Sequence, residues 1–146
     1  MSDLPYTTDV LRLAAEAKGA GRLPPPCRSH TEQNPVCGDR MTVDLRVSES
    51  RITAMAHETK ACVLTQASAS ILGESLPGHS VAELAQLRKE VEDMLKGGLA
   101  PGGAFARYHH LADVARHSAR HRCVLLPIDA ALNAVSDASE PSGQGP

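Results

Sequence analysis

The sequence predicts an α+β fold, in which a small antiparallel β-sheet carries helices packed on one face. Two patterns predict this class: one stretch alternates apolar and polar residues like a half-buried strand, and several stretches carry apolar residues at helical spacing. The composition agrees, because aromatic residues make up only 2% of the 146 residues. Such a core is built from Leu, Val, Ile and Ala, which suits helices packed closely on a small sheet.

The first predicted element is a helix that starts at Thr7 or Thr8 and runs to about Lys18. Either threonine can cap the first turn, and apolar residues recur behind them at helical spacing. Glycines then end the helix. Residues 23–27 contain three consecutive prolines, which the interior of a helix does not accommodate, so we expect an extended arm there.

The clearest strand covers residues 41–48, where every second residue is apolar. These apolar positions are Met41, Val43, Leu45 and Val47. The alternation puts one face of the strand in the core and the other in water. A turn at residues 48–50 leads to a second strand of weaker pattern over residues 51–57, and we expect the two strands to form an antiparallel hairpin.

Four helices are predicted after the hairpin. Residues 61–75 and 105–117 carry apolar side chains at helical spacing. Ser80 and Glu83 have the spacing of a capping box, which opens a helix that the next glycine pair ends. A last helix is predicted to start near Pro127, because proline is tolerated in the first turn.

The length corresponds to one domain, which we place over residues 1–135. Residues 136–146 are polar and contain glycine and proline, so they predict a disordered tail. A net charge of -2 does not favour binding to nucleic acid or to an anionic membrane. No apolar run approaches the roughly 20 residues of a membrane span, and the N-terminus lacks the pattern of a signal peptide. We therefore expect a cytoplasmic, reducing location.

The four cysteines are Cys27, Cys37, Cys62 and Cys123. In a reducing compartment such cysteines are more often metal ligands or reactive thiols than disulfides. They could equally be buried structural thiols, because free cysteine is among the most buried residue types. Composition alone slightly favours that second interpretation, so the surroundings of each cysteine decide the matter.

Those surroundings predict that thiols and a carboxylate converge. Cys37 and Asp39 come directly before the clear strand, and their spacing of two puts them on its buried face if the extended backbone continues. Cys62 lies in the first turn of one predicted helix and Cys123 just before another. Helix N-termini stabilise thiolate, the form that binds metal. Zinc and iron–sulfur clusters both accept such ligands, although this spacing alone is a weak metal signal because it contains no Cys-x-x-Cys pair.

The residues around three of the cysteines are more specific than their spacing. The segments are residues 34–39 (NPVCGD), 60–70 (KACVLTQASAS) and 120–127 (RHRCVLLP). They resemble the three cysteine motifs of the NifU/IscU-like family of iron–sulfur cluster assembly proteins, in the same order. The resemblance runs over about residues 6–135. It implies the SufE/NifU-like α+β fold for the predicted domain.

Three departures from scaffold-type members favour the SufU-like branch of this family. Scaffold-type IscU proteins have His directly before the last Cys, and here that residue is Arg122. The Leu-Pro-Pro-Val-Lys motif by which those scaffolds bind a chaperone is absent from the sequence. The sixty residues between Cys62 and Cys123 also exceed the length found in IscU, and their helix and basic stretch look like the SufU insertion.

By that resemblance, Cys37, Asp39, Cys62 and Cys123 bind zinc, and Cys37 is the catalytic residue that accepts sulfur from a cysteine desulfurase. The product would pass to downstream iron–sulfur apo-proteins or carriers, and the protein would be a zinc-dependent sulfurtransferase. Three alternatives stay open. The site could hold iron or build a transient [2Fe–2S] cluster as a scaffold, the zinc could be purely structural in an interaction module, or the domain could lack metal.

Several neighbouring residues have two interpretations each. Cys27 is expected to be a surface or arm thiol, and Asp39 could merely cap a turn. His121 is close enough to Cys123 in sequence to replace a missing ligand. Lys60 and Arg122 could offset the negative charge of the site. The histidines and arginines of residues 107–122 form either a docking surface for an acidic partner or a solvated helix face.

Overall fold

The computed structural model describes residues 6–35 and 38–136, and it confirms an α+β fold built on one antiparallel sheet. The sheet has three strands in the order β1-β2-β3. They are β1 (Arg28–Asn34), β2 (Asp39–Ser48) and β3 (Arg51–Lys60). The second and third strands form the predicted hairpin, with a register shift between Arg46 and Val47.

Helices make up most of the rest of the described chain. The α-helices are α1 (Thr8–Glu16), α2 (Val63–Ser75), α3 (Val81–Leu95) and α4 (His121–Ser136). Two 3₁₀ segments, Gly103–Arg116 and Ser118–Arg120, join α3 to α4. Within the described residues, no helix is long and apolar enough to span a membrane.

The helix caps follow from local sequence. Thr7 accepts the backbone N–H of Val10 on its hydroxyl at 3.2 Å and so caps α1, as predicted. The predicted capping box at Ser80 and Glu83 is present in both directions. Each of these side chains satisfies a backbone donor that a helix start leaves without an intrahelical partner.

Strand β1 was not predicted from the sequence. Its residues, Arg-Ser-His-Thr-Glu-Gln-Asn, have no apolar alternation, yet they pair with β2 from Arg28 opposite Leu45 to Asn34 opposite Asp39. Polar contacts take the place of apolar burial, because Asn133 on α4 donates to Glu32 at 2.9 Å. A polar edge strand of this kind is specified by its neighbours and leaves no periodic signal in the sequence.

Helix α4 begins six residues before the predicted start at Pro127 and contains that proline in its interior. Proline lacks the N–H that would bond to the carbonyl of Cys123, four residues earlier. The hydroxyl of Thr65 on α2 reaches that carbonyl instead, with a separation of 2.9 Å. The prediction was wrong because this compensation comes from another helix. As a result Cys123 lies in the first turn of α4.

Two other element boundaries differ from the prediction. Helix α2 starts at Val63, so Cys62 is its N-cap residue and does not lie in its first turn. The segment predicted as a helix over residues 105–117 is a 3₁₀ segment, with a kink at Phe105. The predicted tail begins at residue 136, and residues 137–146 lie outside the described part of the chain.

The apolar face of β2 lies in the core as predicted, with Met41, Val43 and Leu45 at most 1% exposed. On the same strand, Asp44 is also fully buried, and it accepts hydrogen bonds from Arg22 at 2.6 Å and from the N–H of Leu23 at 3.0 Å. These bonds fasten the arm that leads into β1. The end of β1 at Asn34 and the start of β2 at Asp39 are therefore both held in the sheet.

Candidate metal centre

A carboxylate and two thiols meet where three elements begin. Asp39 is the first residue of β2, Cys62 is the N-cap of α2, and Cys123 lies in the first turn of α4. One carboxylate oxygen and the two Sγ atoms all lie within 4.8 Å of one another. Ligands bonded to one zinc at about 2.0–2.3 Å lie roughly 3.5–4 Å apart, so small side-chain rotations would let these three hold a common ion.

The fourth predicted ligand, Cys37, lies outside the described residues, so its place in the group stays a prediction. Its following residue is described. Gly38 donates its N–H to the carbonyl of Asn34 at 2.8 Å and has a φ of 79°, a left-handed value that favours glycine. This bond ties the end of β1 to the start of β2, directly before Asp39.

The carboxylate of Asp39 is buried and held by the first turn of α2. One oxygen accepts the backbone N–H of Cys62 at 3.0 Å, and the other lies 2.9 Å from the hydroxyl of Thr65. The N–H of Cys62 belongs to a helix start, where backbone donors lack intrahelical partners. Asp39 therefore does more than cap a local turn, because it connects β2 to α2.

The surroundings of Cys62 favour the thiolate form of its side chain. The pKa of Cys62 is lowered to about 6, chiefly because the thiol of Cys123 donates a hydrogen bond to its sulfur. Burial opposes this shift, the N–H and hydroxyl of Thr65 support it, and the negative charge of Asp39 opposes it. Cys62 is half-buried whereas Cys123 is 1% exposed. The site thus offers a thiolate at neutral pH, the form that binds metal and attacks sulfur.

The positive charge at the two sulfurs comes from Arg120. The pKa of Arg120 is raised first by the electrostatic interaction with Tyr6, and then, against the effect of burial, by Cys62 and Cys123. Cys123 also accepts a hydrogen bond from this guanidinium. Arg122, which the sequence suggested for this role, instead lies 3.3 Å from the carboxylate of Glu32 on β1. The effect of Arg122 on the charge of the site therefore stays a prediction.

The other residues singled out from the sequence lie elsewhere. The imidazole of His121 is 3.2 Å from the carbonyl of Ala115 and is not part of the group. Cys27 is on the arm, as predicted, but it is buried at 8% exposure, with its sulfur 3.7 Å from the hydroxyl of Ser29. Lys60 ends β3 and lines a cavity of about 480 Å³ beside the start of α2.

The basic stretch of residues 107–122 is partly neutralised within the chain. Arg107 forms ion pairs with Glu74 and, at 3.2 Å, with Glu16. Burial lowers the pKa of His110, whose imidazole lies 3.6 Å from the carboxylate of Asp9. These contacts make a continuous positive docking surface a poor description of this segment.

Thr65 and Arg120 are the site residues that the sequence analysis missed. Thr65 follows Cys62 by three residues, which puts both on one side of the helix start. Arg120 precedes Cys123 by three residues. The three-residue spacing from a cysteine was the only signal in the sequence for either residue. Neither a threonine nor an arginine by itself indicates a metal site.

Comparison with known sequences points in one direction. Residues 5–137 match the model of the NifU-like N-terminal domain. The chain is 29% identical over 136 residues to the iron–sulfur cluster assembly scaffold protein IscU of Thermotoga maritima, covering 93% of this chain and 96% of that protein. It is 27% identical over 64 residues to the zinc-dependent sulfurtransferase SufU of Bacillus subtilis, covering 44% of each.

Solved structures show the same architecture. The N-terminal part of a nitrogen-fixing NifU-like protein from Brucella abortus superimposes with a TM-score of 0.88 at 34% identity, covering 92% of this chain and 94% of that one. A putative iron–sulfur cluster assembly scaffold protein for the SUF system from Fervidobacterium islandicum has a TM-score of 0.80 at 22% identity, covering 89% and 96%. The second likeness concerns the fold alone.

Proposed function

The chain belongs to the family of NifU-like N-terminal domains, and on that premise we propose that it accepts sulfur from a cysteine desulfurase at a metal site during iron–sulfur cluster assembly. The proposed ligands are Cys37, Asp39, Cys62 and Cys123. The observation that carries the proposal is the convergence of Asp39, Cys62 and Cys123 within 4.8 Å from three separate elements.

The donor set fits zinc. Two thiols and one carboxylate supply three of the four positions of a tetrahedral site, and a third thiol from Cys37 would complete it. Bound zinc would keep its cysteine ligands deprotonated at neutral pH. Arg122 faces Glu32 and offers no nitrogen ligand at the position where scaffold-type members have His. This difference favours zinc and the SufU-like branch.

Cys37 is the proposed sulfur acceptor. Its thiolate would attack the terminal sulfur of a persulfide on the desulfurase, so a new S–S bond forms at Cys37 and the S–S bond of the donor breaks. The electron pair of the broken bond stays on the cysteine sulfur of the desulfurase, which becomes a thiolate. A proton on the terminal sulfur of the persulfide moves to Cys37 together with that sulfur. The persulfide on Cys37 would then serve downstream apo-proteins or carriers, and the protein would act as a zinc-dependent sulfurtransferase.

The first test is the metal content of protein purified without chelator, compared with Cys37→Ala, Asp39→Ala, Cys62→Ala and Cys123→Ala. We expect about one zinc per wild-type chain and a loss in each variant. Cys27→Ala is the matched control, because Cys27 is a buried thiol outside the group. Equal zinc in the wild type and all four variants would contradict the proposed site.

The second test addresses sulfur transfer. A cysteine desulfurase is mixed with free cysteine and with either the wild type or the Cys37→Ala variant. We expect the wild type to accelerate turnover and to gain the mass of one sulfur atom at Cys37, and the variant to do neither. If both proteins stimulate turnover equally, the transfer function of Cys37 is excluded.

A second candidate function is a scaffold for a transient [2Fe–2S] cluster. It is favoured by the match to a scaffold-named relative over nearly the whole chain, whereas the match to SufU covers 44%. Cysteine thiolates hold such clusters as readily as they hold zinc. Anaerobic reconstitution with iron and sulfide, followed by absorbance and Mössbauer spectroscopy, separates the two functions. Formation of a stable cluster would favour the scaffold function and contradict the zinc-dependent sulfur transfer.

A further inference from the structure

Thr65 contacts all three described members of the candidate metal centre. Its hydroxyl oxygen lies 2.9 Å from a carboxylate oxygen of Asp39, 2.9 Å from the backbone carbonyl of Cys123 and 3.6 Å from the sulfur of Cys62. The side chain is fully buried. A single hydroxyl therefore links residues that belong to β2, α2 and α4.

The hydroxyl has one proton and two accepting oxygens within hydrogen-bond distance. An ionised carboxylate and a backbone carbonyl can only accept, so Thr65 can donate to Asp39 or to Cys123 at any one time. Pro127 makes this competition possible, because it cannot supply the helical N–H to the carbonyl of Cys123. A hydrogen bond to a charged carboxylate is about twice as strong as one to a neutral carbonyl.

We propose that Thr65 is a positioning residue of the metal centre: its hydroxyl orients the carboxylate of Asp39 for the metal when it donates there, and it supports the first turn of α4 when it donates to Cys123 instead. This inference rests on the proposed function, because it requires Asp39 to be a metal ligand. The backbone N–H of Cys62 fixes one oxygen of Asp39 and Thr65 fixes the other. Loss of the hydroxyl would let the carboxylate turn away from the sulfurs.

The test compares Thr65→Val, which keeps the shape and removes the hydroxyl, with Thr65→Ser, which keeps the hydroxyl. Zinc affinity is measured by competition with a chromophoric chelator. We expect Thr65→Val to bind zinc about 10–100 times more weakly, the usual effect of losing a partner that orients a ligand, and Thr65→Ser to stay close to the wild type. Ser70→Ala is the control, because it removes another buried hydroxyl of α2, which accepts the N–H of Lys18 at 3.0 Å.

A substitution at Pro127 separates positioning from simple stabilisation. Pro127→Ala restores an N–H for the carbonyl of Cys123, so Thr65→Val should destabilise the metal-free protein less in that background than in the wild type. The loss of zinc affinity should persist, because the Thr65 hydroxyl is still missing from the carboxylate of Asp39. The double variant also gives a folded protein to measure if Thr65→Val alone folds poorly.

Cobalt(II) provides a spectroscopic measure that does not depend on activity. We expect the ligand-field bands of the cobalt-loaded protein to change in Thr65→Val and to be retained in Thr65→Ser and Ser70→Ala. Unchanged affinity and spectra in Thr65→Val would overturn the role of Thr65. If instead Asp39→Ala binds zinc as tightly as the wild type, the proposed function itself fails, so the two failures are distinguishable.

Discussion

The buried carboxylate of Asp44 should be among the strongest polar contributors to stability. Its side chain is 0% exposed and accepts two hydrogen bonds from Arg22, at 2.6 and 3.1 Å, one from the N–H of Leu23 and one from the hydroxyl of Ser29. We consider Asp44→Asn, which keeps the shape, removes the charge and replaces one accepting oxygen by a donor. After this change, some of the N–H and O–H groups that donated to Asp44 face the NH₂ group of the new asparagine, which is itself a donor.

The expected loss can be worked out from these contacts. A hydrogen bond to a charged group contributes about 1.5–3 kcal/mol, and this must be reduced for Arg22 because its side chain is 50% exposed. Together with the weakened bonds from Leu23 and Ser29, Asp44→Asn should lower the free energy of unfolding by about 3 kcal/mol. For a chain of this length that corresponds to a Tm lower by about 6–12 °C.

The same site gives a pH dependence of known sign. Burial alone would raise the pKa of Asp44, but the hydrogen bonds from Arg22, Ser29 and Leu23 outweigh it and hold the pKa below its ordinary value. A lowered pKa contributes stability that is present above the unfolded pKa of about 4 and is lost as the pH falls through the folded value. The difference between the wild type and Asp44→Asn should therefore shrink below about pH 4.

Urea unfolding followed by circular dichroism at pH 7 and at pH 3 measures both effects. Asp113→Asn is the control, because Asp113 is 60% exposed and its ion pair with Arg116 spans 3.9 Å. Exposed pairs of this kind contribute little, so the control should resemble the wild type. A loss below about 0.5 kcal/mol in Asp44→Asn, the level of an ordinary surface substitution, would refute the reasoning. An equal loss at both pH values would do the same.

Two further predictions concern the contacts of Lys18, which follows α1, with α2 and β3. Gly73→Ala should lower the free energy of unfolding by about 3 kcal/mol, because a Cβ there would lie 2.0 Å from the carbonyl oxygen of Lys18. Gly102→Ala is the control and should cost far less, because a Cβ there meets nothing within 4 Å. Equal urea midpoints for the two variants would contradict this prediction. Burial lowers the pKa of His57 against the hydrogen bond to Lys18, so the unfolded chain takes up the proton first and stability should fall as the pH drops below about 6.5. His57→Gln should flatten that decline between pH 7.5 and 5.5, and an unchanged slope would exclude His57 as its source.

The elements that the sequence predicted are those whose signals are local. In strand β2, Met41, Val43 and Leu45 lie in the core as their alternation in the sequence predicts, although Asp44 between them is buried as well. The capping box at Ser80 and Glu83 involves residues of one turn. Such features need no information from distant parts of the chain.

The errors concern features that distant residues decide. Strand β1 depends on pairing with β2 and on the contact between Glu32 and Asn133, 101 residues away. The start of α4 depends on Thr65, which compensates the carbonyl that Pro127 leaves without its helical donor. Local sequence favoured a helix start at Pro127, and the tertiary contact overrides that preference.

The candidate site divides in the same way. The cysteine motifs identified Asp39, Cys62 and Cys123 as partners, and the structure brings their ligand atoms together. The sequence did not identify Thr65 or Arg120, because a threonine near a helix start and an arginine in a basic stretch have no distinctive pattern. Their significance comes from what faces them across the junction of β2, α2 and α4.

The two arginines that flank this junction provide a final prediction. Arg120 donates a hydrogen bond to Cys123 and lies near Cys62, whereas Arg122, two residues later, pairs with Glu32 at 3.3 Å. The substitutions Arg120→Gln and Arg122→Gln remove the same charge within one turn of chain. They differ in whether that charge faces the sulfurs.

Arg120→Gln should weaken zinc binding by about three- to fivefold, because a cation beside thiolate ligands offsets part of their charge and a partly exposed pair contributes at most about 1 kcal/mol. Arg122→Gln should leave zinc affinity unchanged and lower only stability, through the lost contact with Glu32. Chelator competition at low ionic strength measures the first effect, and added salt should reduce it. The reverse ranking would mean that the positive charge at the centre comes from Arg122, as the sequence alone suggested.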